Sequence, residues 1–293
     1  MNFNINFFKY RFTAFVFSVV LIGFSSFLFF NKSLNLGIDF KGGIMVEAKF
    51  PDVPDLTVLR NKIDNLQIGN SEIQEFGDPS TILFRLEKID KDNITQEEII
   101  EKLKSELDED TDYRRVEFVG PKVGKELKLV AIKAVLFSLI AMFIYIWFRF
   151  SGWQFGLGAL IALFHDVLST IGFFSLTQIE FNLASIAAIL TIAGYSINDT
   201  VVVFDRIREN LVKSEKKLEE LLNLSINQTL SRTLMTSITT LLALAALFIF
   251  GGEVVKGFVS AMIWGVLIGT YSSIFIASPL ILLFGFKQVR DKS

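Results

Sequence analysis

Ionisable side chains inside apolar stretches are the residues of this sequence that could do chemistry. His165 and Asp166 interrupt one such stretch, Asp199 lies in the next, and Arg232 lies at the start of another. A charged side chain at the centre of a membrane helix costs about 2.5–3.5 kcal/mol on insertion scales, so it marks a candidate functional position. Buried carboxylates and imidazoles that water can reach can bind and release protons. The pattern therefore indicates proton transfer within a membrane.

Asp199 is the strongest candidate for a proton carrier. Tyr195 and Ser196 precede it by about one helical turn, so we expect hydroxyl groups around its carboxylate. Arg232 is followed by a run of serine and threonine residues and has two open interpretations. It is either an anchor at the membrane surface or the counter-charge of Asp199. In the second case, protonation of Asp199 would release Arg232 and change the packing of two helices.

Three other ionisable residues leave a structural role open. His165 and Asp166 are adjacent, so they point about 100° apart on a helix and are not expected to share one narrow face. They either support proton transfer or only form hydrogen bonds to neighbouring helices. Asp205 lies nearer the membrane surface, and we expect Arg208, three residues further on, to be its structural partner.

Composition excludes several classes of function. The chain of 293 residues has no cysteine and one histidine, which excludes thiol chemistry, disulfides and a multi-histidine metal site within the chain. The net charge of −2 does not point to nucleic acid as a partner. Because no nucleophile–base pair is apparent, we predict no enzyme, no catalytic residue, no metal and no cofactor apart from a coupling ion.

Six apolar segments, each near the 20 residues needed to cross a bilayer, predict a membrane protein. The chain is 51% hydrophobic, with a mean hydropathy of +0.48. The first segment lacks a small-residue cleavage site and is interpreted as an uncleaved anchor. Pro279 is expected to tilt or kink the last one. The predicted spans are 12–30, 130–148, 155–176, 181–203, 230–250 and 258–284.

Charge asymmetry between the loops predicts the orientation. Basic residues concentrate on the side of both termini, where the positive-inside rule places the cytoplasm. The connector 206–227 has helical spacing of leucines and is interpreted as an amphipathic helix, either solvated or docking a partner or lipid. The basic residues are Arg149, Arg206, Arg208, Lys213, Lys216, Lys217, Lys287, Arg290 and Lys292, and the opposite loops hold Glu180, Glu253 and Lys256.

The polar segment between the first two spans predicts a ferredoxin-like external domain of order β-α-β-β-α-β. Its predicted strands are 43–50, 72–76, 81–87 and 113–119, with a hairpin turn at 77–80. One predicted helix covers 57–66, and another begins at a capping box of Thr95 and Glu98. We therefore divide the chain into a first span (1–31), the external domain (32–125), five further spans (126–286) and a tail (287–293). No catalytic constellation is apparent in the domain, which is interpreted as a binding or spacer domain.

Several motifs resemble the SecD/SecF family of protein-export membrane proteins. They are spread over most of the chain, which makes the resemblance specific. The single small external domain fits the SecF branch of the family, because the SecD branch has a larger one. The matching segments are LGIDFKGG at 36–43 with Gly37, Asp39, Gly42 and Gly43; VEFVGPKVG at 116–124; His165-Asp166; GYSINDTVVVFDRIREN at 194–210 with Gly194, Asp205 and Arg206; and Ser231-Arg232-Thr233.

The resemblance implies a fold, a function and partners. The fold is a six-helix bundle forming half of a resistance-nodulation-division-type transporter, completed by SecD. The function is assistance to the export of unfolded polypeptides, driven by protons with sodium as an alternative ion. Asp199 and Arg232 match proton-pathway positions, while Asp166 and His165 are supporting candidates. The implied partners are SecD, the SecYEG channel, YajC, YidC, the exported polypeptide and membrane lipid.

Two other functions and one local ambiguity remain open. The first is a small-molecule exporter of the resistance-nodulation-division type, which would need two such halves and larger external domains. The second is a membrane scaffold, which would need no carboxylate in the fourth span. The glycines at 37, 42 and 43 are permissive in backbone conformation and are interpreted as either a plain turn or part of a hinge.

Overall fold

Among the residues that the structure describes, six helices are long and apolar enough to cross a membrane. The computed structural model describes residues 4–66, 71–86, 96–107, 110–150, 152–213 and 216–284. Each predicted span overlaps one of the six helices, which confirms the expectation of a multi-pass membrane protein. Contacts divide the chain into two compact units, a helix bundle (Met1–Asn35 and Lys133–Ser293) and a sheet domain (Leu36–Ile132).

The described helices and strands have the following bounds. The helices are α1 (Arg11–Lys32), α2 (Ile38–Lys41), α3 (Leu56–Asn65), α4 (Gln96–Glu106), α5 (Pro121–Phe150), α6 (Trp153–Thr177), α7 (Leu183–Lys213), α8 (Leu218–Phe250), α9 (Glu253–Ser272) and α10 (Ser278–Leu283). The strands are β1 (Gly43–Lys49), β2 (Ser71–Phe76), β3 (Asp78–Leu86) and β4 (Asp112–Val119).

The sheet domain has the predicted ferredoxin-like topology. Its four strands are antiparallel in the order β2-β3-β1-β4, with Val46 of β1 opposite Phe84 of β3 and Val116 of β4. Alternate residues of the strands pack against Ile63 of α3 and Leu103 of α4 in one hydrophobic core. The short helix α2, which the sequence did not predict, precedes β1.

The hairpin turn between β2 and β3 is tighter than predicted. Strand β3 begins at Asp78, and Gly77 makes the reversal at a φ of 82°, which glycine adopts without a Cβ clash. The Asp78 carboxylate accepts hydrogen bonds from the hydroxyl and backbone N–H of Ser80, which lower its pKa to about 2. Two predicted features, Glu87 at a strand end and Thr95 of the capping box, lie outside the described residues.

Two of the family-like motifs contact each other within the sheet domain. Gly42 has a φ of 78°, and a Cβ atom there would lie 2.9 Å from Cα of Pro121. A Cβ atom on Gly124 would lie 3.3 Å from the carbonyl oxygen of Phe40. A side chain at Gly42 would clash with the backbone, and one at Gly124 would have little room, so segment 36–43 packs closely against segment 116–124, in which α5 begins. A hinge role for Gly37, Gly42 and Gly43 stays a prediction.

The connector after the fourth span is not one amphipathic helix, contrary to the prediction. Helix α7 continues to Lys213, Lys216 and Lys217 are not helical, and α8 begins at Leu218, twelve residues before the predicted fifth span. Leu221 and Leu222 are fully buried in the core of the bundle. The apolar side of this segment is therefore covered by the chain itself. The basic residues at 287, 290 and 292 lie outside the described residues.

The segment before α1 is bound along the start of α8. Asn227 accepts a hydrogen bond from the backbone N–H of Ile5 and donates one to its carbonyl oxygen, both at 2.8 Å. Asn223 accepts a hydrogen bond from the N–H of Phe7 at 2.8 Å. Phe7 and Phe8 are buried in the same core cluster. These contacts close one end of the helix bundle with apolar side chains.

Candidate functional site

Helices α7 and α9 approach closely because two glycines of α9 face α7. A Cβ atom on Gly265 would lie 2.2 Å from Cγ1 of Ile192, and one on Gly269 would lie 3.0 Å from Cβ of Ser196. Glycines four residues apart allow membrane helices to pack with little space between their backbones. Ser196 therefore lies at the contact between α7 and α9.

The carboxylate of Asp166 connects three helices. Asp166, in α6, is fully buried, with 0% of its surface exposed. The hydroxyls of Ser196 in α7 and Ser272 in α9 donate hydrogen bonds to Oδ2 at 2.6 and 2.7 Å. Nδ1 of His165 lies 3.0 Å from Oδ1. Because these three groups surround both oxygens, Asp166 is a well-satisfied buried acceptor.

His165 and Asp166 interact with each other, contrary to the expectation that they would lie on different faces. Their Cα–Cβ bonds do diverge around the helix, but rotation about the side-chain bonds brings the imidazole to the carboxylate. Nε2 of His165 is buried and has no hydrogen-bond partner among the described residues. The ring centroid of Tyr271 in α9 lies 6.0 Å from that of His165.

The carboxylate of Asp199 is buried but only partly satisfied. Its exposed fraction is 2%, and the hydroxyl of Thr270 in α9 is close enough to act on its charge. Its Oδ2 atom has no hydrogen-bond partner among the described residues. Burying a polar group without a partner is costly, and such an oxygen is a site where a proton can be held. Asp199 therefore differs from Asp166 in having a carboxylate oxygen without a hydrogen-bond donor among the described residues, and a proton can bind to such an oxygen.

A row of hydroxyl groups leads from Asp199 across three helices. Thr270 lies 2.7 Å, oxygen to oxygen, from Ser237 of α8, and Tyr195 of α7 donates a hydrogen bond to Ser237 at 3.2 Å. The prediction that Tyr195 and Ser196 surround the Asp199 carboxylate was therefore wrong in detail. Residues three or four positions away on one helix share a face, but the hydroxyls of Tyr195 and Ser196 bond instead to Ser237 and Asp166 of neighbouring helices.

Ser272 and Ser273, at the junction of α9 with a π-helical turn (Ser273–Ala277), bond to different helices. Pro279 follows this turn and cannot donate a backbone hydrogen bond, which is the physical reason for an altered helix before it. Ser272 bonds to the α6 carboxylate, while Ser273 lies 2.9 Å from the hydroxyl of Thr200 in α7. The predicted tilt or kink thus takes the form of a wider helical turn.

Arg232 does not form a direct ion pair with Asp199. It lies in the first half of α8, its side chain is exposed, and it forms no ion pair within the described part of the chain. Its charge still acts electrostatically on Asp199. The interpretation of Arg232 as the counter-charge of Asp199 therefore stays a prediction, and it now requires electrostatic attraction between the two side chains without direct contact.

Asp205 has a different partner from the one predicted. Its Oδ1 atom lies 2.8 Å from Nη2 of Arg149, at the end of α5. Arg208 instead donates a hydrogen bond to the carbonyl oxygen of Arg149 at 3.3 Å, and Arg206 pairs with Glu209 at 2.9 Å. Interhelical packing brings Arg149 closer than the residue one turn away, so the predicted partner was wrong. The structural interpretation of Asp205 stays a prediction.

The structure gathers most of the candidates around α7 and α9. It brings His165 and Asp166 together and places Asp199 three residues after Ser196, which binds Asp166. The sequence analysis missed several hydroxyl residues, whose signal was a polar run inside the last apolar span: Thr270, Ser272 and Ser273. Among the described residues, no group of three or more acidic or histidine side chains could hold a metal ion.

Six membrane helices, buried carboxylates among them and a ferredoxin-like domain define a multi-pass membrane protein of the transporter type. Two family models match the chain. Residues 99–287 match "Protein export membrane protein SecD/SecF, C-terminal" and residues 27–50 match "SecD/SecF GG Motif". The chain therefore belongs to the SecD/SecF family.

Similar proteins support this assignment over nearly the whole chain. "Protein translocase subunit SecF" of Rickettsia bellii is 46% identical over 288 residues, which cover 97% of this chain and 94% of the relative. The protein of the same name in Rickettsia felis is 44% identical over 290 residues, with coverages of 98% and 94%.

Solved structures of relatives show the same fold. The crystal structure of SecDF from Thermus thermophilus, described as a translocon-associated membrane protein, matches with a TM-score of 0.87 and 35% identity over 98% of this chain. SecDF in the super-membrane-facing form matches with a TM-score of 0.71 and 34% identity over 97% of this chain. This chain spans 39% of the length of each SecDF chain.

Proposed function

We propose that this chain is an accessory subunit of the Sec protein translocase. It works with SecD in the bacterial inner membrane and uses the proton-motive force to promote late stages of the export of unfolded polypeptides. Its relatives are named translocase subunits, and a solved relative is described as translocon-associated. The relatives are named for a role in transport, so the proposed function includes no enzymatic activity.

One observation carries the proton-coupled part of the proposal, namely the state of Asp199. Its carboxylate is buried inside a membrane helix, yet its Oδ2 atom has no donor among the described residues. A permanently charged structural acid would be expected to have its oxygens satisfied, as those of Asp166 are. Asp199 therefore alternates between a charged and a neutral form as protons arrive and leave.

The free energy available to such a carrier is sufficient to bias a conformational equilibrium. Moving one elementary charge across 100 mV supplies about 2.3 kcal/mol. A change of charge on Asp199 alters its electrostatic interaction with the exposed Arg232 of α8 and with the hydroxyl of Thr270 in α9. Both neighbours lie on other helices, so the packing of α8 and α9 against α7 changes with protonation. Conformational change of the sheet domain would convert this shift into work on the exported chain.

Basic residues support an orientation with both termini in the cytoplasm and the sheet domain outside. Arg149, Arg206, Arg208 and Lys213 lie at one end of the spans. Loops at the other end carry Glu180 and an ion pair of Glu253 with Lys256. By the positive-inside rule, the first end faces the cytoplasm. The SecYEG channel, YajC, YidC and surrounding lipid complete the proposed set of partners.

The direct test is reconstitution in liposomes that hold the Sec channel, SecD and this chain, with an imposed pH gradient. Export of a polypeptide should be faster with the gradient than without it, and a proton ionophore should remove the difference. A sodium gradient at constant pH distinguishes the alternative coupling ion. Export that is equally fast in all conditions would contradict ion coupling and leave a scaffold role.

The surface proposed to bind SecD is a row of small and polar residues on α7. These residues are exposed and recur every three or four positions, which places them on one side of the helix. A Cβ atom on Gly194 would meet no atom within 4 Å, so this chain leaves space there for a second helix. Small residues allow close approach of helices in membranes. The row consists of Ala184, Ala187, Thr191, Gly194 and Asn198.

Gly194→Leu should prevent association with SecD while leaving this chain folded, because the larger side chain occupies space needed by the partner. Co-purification of SecD in mild detergent measures the effect, and we expect a loss of at least about tenfold, as for overpacking of a close interface. Gly23→Leu is the matched control, since Gly23 in α1 also has no atom within 4 Å of its Cβ position. Equal retention of SecD by both variants would place the interface elsewhere.

A further inference from the structure

We propose that Asp166 is a positioning residue, which stays charged and holds α7, the helix that carries Asp199, in register with α9. The inference rests on the proposed function, because it assigns the proton-carrying role to Asp199 and a different role to Asp166. It thus gives different roles to two buried acids that the sequence analysis both counts among the proton-pathway candidates.

Hydrogen bonding distinguishes the two acids. Asp166 has hydroxyl donors from Ser196 and Ser272 on Oδ2 and the imidazole of His165 at Oδ1. An ionised carboxylate can accept all three hydrogen bonds, whereas a protonated one must use one oxygen as a donor. The Oδ2 atom of Asp199, by contrast, has no hydrogen-bond partner among the described residues. The surroundings of Asp166 thus suit a fixed charge.

The position of the histidine proton agrees with a charged Asp166. Nε2 of His165 is buried without a partner among the described residues. A neutral imidazole carries one N–H, and placing it on Nε2 would leave a buried donor unsatisfied, which is rarer and costlier than an unsatisfied acceptor. The proton therefore belongs on Nδ1, where Oδ1 of Asp166 accepts the hydrogen bond at 3.0 Å.

The helices that Asp166 holds are those that form the Asp199 site. Ser196 precedes Asp199 by three residues on α7, an axial rise of about 4.5 Å. Ser272 follows Thr270 by two residues on α9. One carboxylate in α6 therefore fixes both α7 and α9 within about one helical turn of Asp199 and Thr270. Loss of this connection would let the two helices shift and would change the surroundings of the Asp199 carboxylate.

The bundle retains other connections when this one is removed. The indole N–H of Trp264 in α9 donates a hydrogen bond to Ser169 of α6 at 2.9 Å, and Ser273 contacts Thr200 of α7. Variants at Asp166 are therefore expected to fold. The other titratable groups near it are His165 on its own helix, Asp199 on α7 and Tyr271 on α9.

Substitution of Asp166 by asparagine or by alanine distinguishes a positioning role from a proton-carrying role. Asp166→Asn keeps an oxygen that accepts from both serines, so gradient-driven export should stay within about threefold of the wild type. Asp166→Ala removes the acceptor and should lower export at least about tenfold, as expected for losing hydrogen bonds to a charged group. If Asp166→Asn, correctly assembled, were as inactive as Asp199→Asn, Asp166 would carry the proton and the positioning role would be wrong.

Serine variants test whether Asp166 acts through Ser196 and Ser272. Ser196→Ala and Ser272→Ala should each move the pH at which gradient-driven export is half-maximal, because the surroundings of Asp199 change. Ser175→Ala is the matched control, since Ser175 is a fully buried serine of α6 whose hydroxyl has no partner among the described residues. A shift of equal size in the control, or none in any variant, would contradict the proposal.

A crosslink reports on helix register independently of export. The chain has no cysteine, so Ile192→Cys and Gly265→Cys place a single pair of thiols at the close contact of α7 and α9. Oxidative crosslinking should be efficient with Asp166 or Asp166→Asn and several-fold lower with Asp166→Ala. An unchanged yield would refute the register role. Should Asp199→Asn retain gradient-driven export, the proposed function would fail while this crosslink still decided the role of Asp166.

Discussion

Asp199→Asn is expected to abolish the acceleration of export by a proton gradient while the chain remains folded and bound to SecD. Asparagine has nearly the same shape and keeps an oxygen that can accept a hydrogen bond, but it cannot bind and release a proton. The electrical contribution of about 2.3 kcal/mol per charge at 100 mV would be lost, which corresponds to a factor of about 50 in an equilibrium. Export in the reconstituted liposomes, with and without the gradient, measures this loss.

Asp205→Asn is the matched control for this experiment. Asp205 lies six residues further along α7, but its side chain is partly exposed and forms an ion pair with Arg149. An exposed ion pair contributes about 0–1 kcal/mol, so its loss should change export little. If the proton gradient accelerated export as much in Asp199→Asn as in Asp205→Asn, Asp199 would carry no coupling proton.

Gly172→Ala is expected to be the most destabilising small substitution in the helix bundle. A Cβ atom there would lie 2.2 Å from Oγ and 2.8 Å from Cα of Ser25, so the backbones of α6 and α1 would have to separate. Overpacking of this kind costs about 1–3 kcal/mol. The variant should unfold at a lower temperature in detergent and show weaker association of α1 with the rest of the bundle.

Gly194→Ala provides the comparison for Gly172→Ala, since both exchange a glycine inside a membrane helix for alanine. The Cβ position at Gly194 has no atom within 4 Å, and alanine favours helix by about 1 kcal/mol over glycine. Unfolding of the isolated chain should therefore be unchanged or slightly delayed in Gly194→Ala. Equal stability of the two variants would contradict the close packing of α6 on α1.

The sequence predicted features that depend on local patterns. Apolar segments of about 20 residues located the six spans, because crossing a bilayer requires that length. Alternation and turn residues located the strands of the sheet domain, and their order agreed with the ferredoxin-like topology. The boundaries were less accurate where a membrane helix continued into water. Helix α8 begins at Leu218 because its first turns are buried by apolar packing in the bundle, which hydropathy alone does not reveal.

Interactions between helices were the main source of error. Asp205 pairs with Arg149, 56 positions away in the sequence, although Arg208 is a suitable partner one turn along the same helix. Ser196 donates to Asp166 of another helix rather than to Asp199 of its own. Spacing along one helix predicts which residues share a face, but the relative rotation of neighbouring helices decides which partner is nearest.

Glycines determined that rotation, and their role could not be derived from the sequence alone. Gly265 and Gly269 allow α9 to approach α7, which places Ser272 next to Asp166. The π-helical turn before Pro279 then orients Ser273 towards Thr200. The residue types were visible in the sequence as small and hydroxyl side chains. Their pairing required the packing of three helices.

Infrared difference spectroscopy of the chain with SecD in lipid tests the alternation of Asp199 most directly. Lowering the pH on the outer side should produce the carbonyl stretching band of a protonated carboxylic acid, and this band should be missing from the spectrum of Asp199→Asn. Asp166→Asn should retain it. Identical bands in the wild type and Asp199→Asn would mean that the fourth membrane helix carries no exchangeable proton, contrary to the mechanism proposed for this subunit.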